Sequence, residues 1–157
     1  MEMWFSEFHT PDVKHSIRVN RQLFSRQSDY QRIDIFETPE FGRVLTLDGN
    51  VMLTERDEFI YDEMITHVPM AIHKEAKEIM VIGAGDGGVV RELTRYDRVR
   101  HIDLVEMDPI VVEACRAYLP ENACRLDMIL LSWIPRIRLA HRKDCLPANF
   151  MGIVTMR

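Results

Sequence analysis

Ile79-Met80-Val81-Ile82-Gly83-Ala84-Gly85-Asp86-Gly87-Gly88 decides how this chain folds, and Glu106, at the end of the next apolar run, decides what the turn is for. An apolar strand that runs into glycines and then opens a helix lets backbone N–H groups approach a ligand closely. A carboxylate about 20 residues further on is suited to accept both hydroxyls of a ribose. A bare glycine turn also serves tight loops that bind nothing. Here strand, turn, helix, strand and acid follow in order, and that order predicts a nucleoside site.

Working outward, strand Glu78 to Ile82, helix Gly88 to Tyr96, strand His101 to Glu106 and helix Pro109 to Tyr118 alternate, which implies a parallel sheet. Asp108 is suited to cap the last helix and Pro109 to fill its first turn. Upstream, Phe59, Ile60, Met64, Ile65 and Val68 recur at three- and four-residue intervals, predicting a helix from Glu55 that packs this face inward, with Pro69 disturbing its end. The first third reads as strands near Ser16 to Phe24, Tyr30 to Glu37, Arg43 to Leu47 and Asn50 to Thr54. The Asp48-Gly49 pair between the last two is a hairpin signal, because its central positions favour positive φ. The fold class is therefore α/β: a small N-terminal antiparallel β domain over residues 1–54, then a truncated Rossmann-like parallel sheet over 55–127. Residues 128–157 stand apart. Met128 to Leu131 suits a buried strand, but Ser132 to Arg157 mixes Trp, Pro, Arg and His without period or caps.

The chain has 157 residues, enough for one ordinary core plus an accessory region. Its formal charge of −5 and pI near 5.7 offer no basic surface for nucleic acid or an anionic membrane. Cys115, Cys124 and Cys145 are odd in number without a Cys-x-x-Cys pair, and no signal segment or membrane-spanning run occurs, so a cytoplasmic setting is expected. His9, His15, His67, His73, His101 and His141 lack metal-site spacing, and no metal is predicted.

The chain resembles the polyamine aminopropyltransferases, specifically the spermidine synthases, from Trp4 to Asp127. The resemblance is carried by Tyr30-Gln31, Phe41-Gly42-Arg43-Val44-Leu45 through Leu47-Asp48-Gly49, Glu55-Arg56-Asp57-Glu58-Phe59-Ile60-Tyr61, Glu63-Met64 with His67-Val68-Pro69, the glycine turn, and Val105-Glu106. It implies an N-terminal β domain, a Rossmann-like domain of the class I methyltransferase type, and a homodimer or homotetramer. It further implies transfer of an aminopropyl group from decarboxylated S-adenosylmethionine, a co-substrate rather than a prosthetic group, to putrescine, giving spermidine and methylthioadenosine. The diamine nitrogen attacks the methylene carbon beside a sulfonium, so the protein must position two cations and remove an ammonium proton.

On this resemblance Gln31, Gly83, Gly85, Asp86 and Glu106 hold the nucleoside co-substrate, with Glu106 on the ribose and Asp86 on the amine end of the aminopropyl group. Asp86 discriminates on physical grounds, because a methyltransferase must accommodate a methionine carboxylate near this turn, where a second anion repels it. A plainer role for Asp86 is to cap the helix that follows. Tyr61 would line the diamine pocket, and Asp62 beside it departs from the His or Gln more usual in the family, which puts the acceptor amine in question. Tyr61 equally suits simple packing of its helix.

The family's adenine-side acidic segment and its Asp-Ser-Thr-Asp-Pro strand end, whose first Asp is the proposed base, are missing after Asp127, so no base is assigned. We read residues 128–157 as the family's next segment translated out of frame. Codons allowed for Trp133 to Leu146, taken from the third base of the Trp133 codon, permit Asp-Ser-Thr-Asp-Pro-Phe-Gly-Pro-Ser-Glu-Gly-Leu-Phe. The chain is accordingly expected to have little activity and low stability, with the strands near Val81 and Leu104 partly exposed. Two rival readings are a class I S-adenosylmethionine-dependent methyltransferase and a non-catalytic oligomerisation or polyamine-binding remnant.

Overall fold

The computed structural model describes residues 2–123 and the backbone of Gly152–Met156. The chain divides into two compact units, Met1–Glu58 and Phe59–Arg157. In the first, β1 (Met3–Thr10) and β2 (Val13–Val19) pair as one antiparallel hairpin. β3 (Arg21–Gln27), β4 (Arg32–Thr38), β5 (Gly42–Leu47) and β6 (Asn50–Thr54) form an antiparallel sheet in sequence order. The predicted strand across Ser16 to Phe24 is thus two strands in two sheets, broken at Asn20, whose N–H donates to the Glu37 carbonyl at 2.8 Å. Alternation records which way side chains point but not a change of sheet. β1 escaped prediction because Met3, Trp4 and Phe8 are all exposed, leaving no inward–outward contrast.

Asp48 and Gly49 have φ of 50° and 78°, the positive pair that a two-residue hairpin turn between β5 and β6 requires. Val19, Ile33, Ile35, Val44 and Leu45 form the core of this unit, and the Phe5 and Phe36 rings, 5.2 Å apart, join its two sheets.

The second unit contains α1 (Glu58–Ile72), β7 (Glu78–Ile82), α2 (Gly88–Leu93), β8 (His101–Val105), α3 (Pro109–Tyr118) and β9 (Gly152–Met156). β7 and β8 pair in parallel, from Glu78 opposite His101 to Ile82 opposite Val105. β9 pairs antiparallel with the other edge of β7, a strand that the aperiodic sequence there did not announce. The predicted continuation at Met128 to Leu131 lies outside the described residues.

Val81 and Leu104 are 2% and 0% exposed, so the expected exposure of these strands does not occur. β7 is the middle strand, and Val89, Leu93, Val111 and Val112 of the crossover helices are buried with it. α2 stops at Leu93 rather than Tyr96, because the chain tightens into three-residue turns, Arg95 N–H to Glu92 carbonyl and Tyr96 N–H to Leu93 carbonyl, both 3.2 Å. α1 begins at Glu58 and continues past Pro69 to Ile72, since a proline one turn from the end removes a single helical hydrogen bond.

The orientation of α1 differs most from expectation. Its buried residues are Asp62, Thr66 and Met70, whereas Phe59, Ile60, Met64 and Val68 are exposed. The inward face is built for close approach to another helix rather than for apolar area. Among the described residues no helix is long and apolar enough to cross a membrane.

Candidate functional site

The turn between β7 and α2 is held open by three left-handed residues, Gly83 (φ 84°), Ala84 (φ 58°) and Gly87 (φ 93°). Glycine supplies this conformation without the steric cost that Ala84 bears. Gly83 N–H donates to the Val105 carbonyl at 2.8 Å and Gly87 N–H to the Ala84 carbonyl at 3.0 Å, so the turn is tied to the end of β8.

Gly85 serves a different need. A Cβ there would stand 2.8 Å from Glu106 Oε2 and 2.9 Å from its Cγ, so only glycine admits the Glu106 carboxylate this close. Glu106 Oε2 accepts from Gly85 N–H at 3.0 Å, and Oε1 accepts from Asp108 N–H at 2.9 Å. Burial raises the Glu106 pKa above its ordinary value, and the backbone donors of Asp108, Met107 and Gly85 offset only part of that rise. The acid predicted from sequence therefore sits on the turn itself, clamped by amides from both sides.

Asp86 is half-buried, and its Oδ2 accepts from Gly88 N–H at 3.2 Å. The capping geometry is thus present at the start of α2, where Gly87 provides no side-chain cap. It leaves Asp86 close enough to α1 to act on Tyr61. Burial first, then the charges of Asp62 and Asp86, raise the Tyr61 phenol above its usual pKa, although the residue as a whole is 58% exposed. Asp86 and Glu106 thus both stand on the turn, Asp86 on the start of α2 and Glu106 on Gly85.

Asp62 occupies a different environment. It is buried, and a Cβ on Gly88 would lie 1.8 Å from its Oδ2. Arg91 Nη2 stands 3.8 Å from the same oxygen. This carboxylate packs α1 against the start of α2. Gln31 belongs to the other unit, where its N–H donates to Ser28 Oγ and its carbonyl accepts from the same hydroxyl, both at 3.0 Å.

Sequence reasoning missed Arg91 as the partner of Asp62, and the need for glycine at 88. Neither has a local signal, because both depend on Asp62, which lies 26 positions before Gly88 and 29 before Arg91. It also missed Cys115, buried beneath the turn with its thiol pKa pushed up by burial and then by the charges of Asp86 and Glu106. Such a thiol is inert rather than nucleophilic.

Glu63, His67 and Glu92 bring ligand atoms within 4.8 Å of one another. Glu92 is already held by Arg95 at 2.6 Å and Arg91 at 3.0 Å, while His67 Nδ1 pairs with the Tyr96 hydroxyl at 2.7 Å. Two guanidinium groups oppose a cation here, so the cluster is an ion-pair network. For Glu92, burial acts to raise the pKa, but the hydrogen bonds from Arg95 and Arg91 outweigh it and hold the group below its ordinary value.

An antiparallel β unit followed by a parallel α/β unit, with a carboxylate clamped on its glycine turn, defines a protein of methyltransferase-like fold. The chain belongs to the spermine/spermidine synthase family: residues 58–145 match the spermine/spermidine synthase domain and residues 3–55 the spermidine synthase tetramerisation domain. It is 58% identical over 127 residues to the polyamine aminopropyltransferase of Lachnoclostridium phytofermentans, and 61% identical over the same length to that of Clostridium botulinum. Each match covers 81% of this chain and 45% of the relative, so the chain spans about half the length of the curated relatives it matches. A spermidine synthase solved in complex with the transition state analogue AdoDATO superposes with a TM-score of 0.81 at 44% identity, covering 88% of this chain and 46% of that one. The spermidine synthase of Thermotoga maritima gives the same score and identity, over 88% and 47%.

Proposed function

We propose that this chain carries the nucleoside-binding half of an aminopropyltransferase, the enzyme that moves an aminopropyl group from decarboxylated S-adenosylmethionine to putrescine and yields spermidine and methylthioadenosine. The observation that carries the reading is the pairing of Asp86 with Glu106 around one glycine turn. Glu106 accepts the ribose hydroxyls, and Gly83 and Gly85 let the nucleoside approach the backbone. Asp86 holds the terminal ammonium of the aminopropyl group, and Tyr61 presents an aromatic face to the diamine. Asp62, beside Tyr61 and packed against Gly88 and Arg91, is assigned to the same diamine side, where a carboxylate can grip an ammonium.

The proton acceptor is not assigned to any residue of this chain. Residues 128–157, read as an out-of-frame tail, supply neither it nor the adenine-side acids, and the chain alone is expected to be nearly inactive. Sequencing the coding DNA across the Asp127 codon decides the point: an alternate frame without the aspartate motif ends that explanation. The setting we propose is cytoplasmic, with copies assembling through the exposed Trp4, Phe8 and Val13 of the β1–β2 hairpin.

Calorimetric titration with decarboxylated and intact S-adenosylmethionine tests the functional reading. The decarboxylated form is expected to bind more tightly, and Asp86→Asn to erase the preference. Tighter binding of the intact cofactor would instead establish a methyltransferase.

A further inference from the structure

The turn end of the β1–β2 hairpin brings together two histidines, His9 and His15, that stand on different strands. Their rings lie 5.3 Å apart, centre to centre, at an interplanar angle of 84°. Strand register explains the meeting. Phe8 lies opposite Lys14 and Thr10 opposite Val13, so His9 is an extra residue on β1, a bulge without a partner of its own. A bulge re-aims its side chain. Here it leans toward His15, which is paired with Glu7. Residues directly opposite in an antiparallel pair, and residues two apart on one strand, point to the same face. Glu7, His9 and His15 therefore share one side of the hairpin.

Two imidazoles and a carboxylate are a donor set suited to a borderline divalent ion such as Zn²⁺. With nitrogen about 2 Å from the metal and the ring centre roughly 1.1 Å behind it, two imidazoles on one tetrahedral ion have their centres about 5 Å apart. The His9 and His15 rings already have that separation. Turning each ring about its Cβ–Cγ bond, an axis that passes through the ring centre, aims a nitrogen at a shared ion and keeps the spacing. Both histidines are exposed, so no buried group has to move. Glu7 completes the set by side-chain rotation rather than by a contact already made. The charge environment also differs from that of Glu63, His67 and Glu92, where two guanidinium groups oppose a cation. On the hairpin Lys14 points to the other face, its ammonium 6.0 Å from the Phe8 ring centre.

We propose that His9 and His15, with Glu7 as third ligand, chelate one divalent transition-metal ion of the Zn²⁺ class on the hairpin, with water in the fourth position. The ion bridges β1 and β2 at their turn end and so fastens a two-stranded sheet, an arrangement with little stability of its own. The spacing of the histidines along the chain does not announce such a site, because it is strand pairing that brings them together. The proposal goes beyond the functional reading above and does not depend on it.

The test is titration of the metal-free full chain with Zn²⁺, read by calorimetry and native mass spectrometry. One ion per chain is expected at this site, its affinity lowered at least about tenfold by His9→Gln or by His15→Gln, since removing even a ligand's supporting contact has an effect of that size. Glu7→Gln is expected to weaken binding less than either, and His67→Gln to leave it unchanged. Peptide-mapped modification by diethyl pyrocarbonate gives a second readout on the unaltered chain. Saturating Zn²⁺ is expected to slow the reaction at His9 and His15 at least about tenfold, because ligation occupies the lone pair that reacts. The exposed His73 should react at its metal-free rate. Zn²⁺ affinity that survives both histidine substitutions would overturn the proposal, as would equal reactivity of His9 and His15 with and without the ion. Unchanged affinity in Glu7→Gln would overturn the three-ligand site. Half an ion per chain, accompanied by dimers, would show that two copies supply the ligands and would overturn it as well.

Discussion

Asp62 and Gly88 meet so closely that any side chain at position 88 would collide: its Cβ would lie 1.8 Å from Asp62 Oδ2 and 2.6 Å from Cγ. Alanine ordinarily favours a helix over glycine by about 1 kcal/mol. Here the clash reverses the sign, and Gly88→Ala is expected to destabilise by about 1–3 kcal/mol, the usual range for overpacking. The three nearest atoms that a Cβ at 88 would meet all belong to Asp62, so most of the penalty should disappear in an Asp62→Ala background. Urea unfolding of the two single variants and the double variant measures the coupling. Additive effects would mean that Asp62 does not bear on Gly88.

Glu92 makes acid stability a second measurable property. Its side chain is 5% exposed and hydrogen-bonded by Arg91 and Arg95, which hold its pKa down in spite of burial. A carboxylate with a lowered folded pKa contributes stability above its unfolded pKa, and that stability is lost as pH falls through the folded value. Glu92→Gln should therefore cost about 1–3 kcal/mol at neutral pH, the range for hydrogen bonds to a charged group. It should cost progressively less in acid. Thermal unfolding across the acidic range checks this, and a cost independent of pH would assign the loss to packing alone.

The parts of the fold legible in the sequence are those set by local chemistry. Asp48-Gly49 specified its hairpin, β7 appears at Glu78–Ile82, and Asp108 caps α3 by accepting from Ile110 N–H at 3.0 Å. Glu106 was legible for the same reason, because strand, turn and acid lie on consecutive elements. The orientation of α1 was not, since apolar periodicity identifies a face without saying what the opposite face must fit. Thr66, 0% exposed, and Asp62 take the inside because the α2 start demands close approach, a requirement written at Gly88. The change of sheet at Asn20 was hidden likewise, as strands on either side of a bend share one alternation.

Glu106 gives the candidate site a pH signature of its own. Burial raises its pKa, and the amides of Asp108, Met107 and Gly85 recover only part of the loss. For folding, a raised carboxylate favours the native state below its unfolded pKa, and this contribution is lost as pH rises through the folded value. In the role proposed for Glu106, nucleoside binding runs the other way: ribose hydroxyls would donate to the ionised carboxylate, so binding would release a proton and weaken as pH falls through the raised pKa. Below that point the affinity for methylthioadenosine should drop by about tenfold per pH unit. Calorimetry in buffers of different ionisation heat reads the proton release directly. Glu106→Gln should bind weakly at every pH and release none, whereas a variant that keeps the wild-type pH profile would remove Glu106 from the nucleoside site.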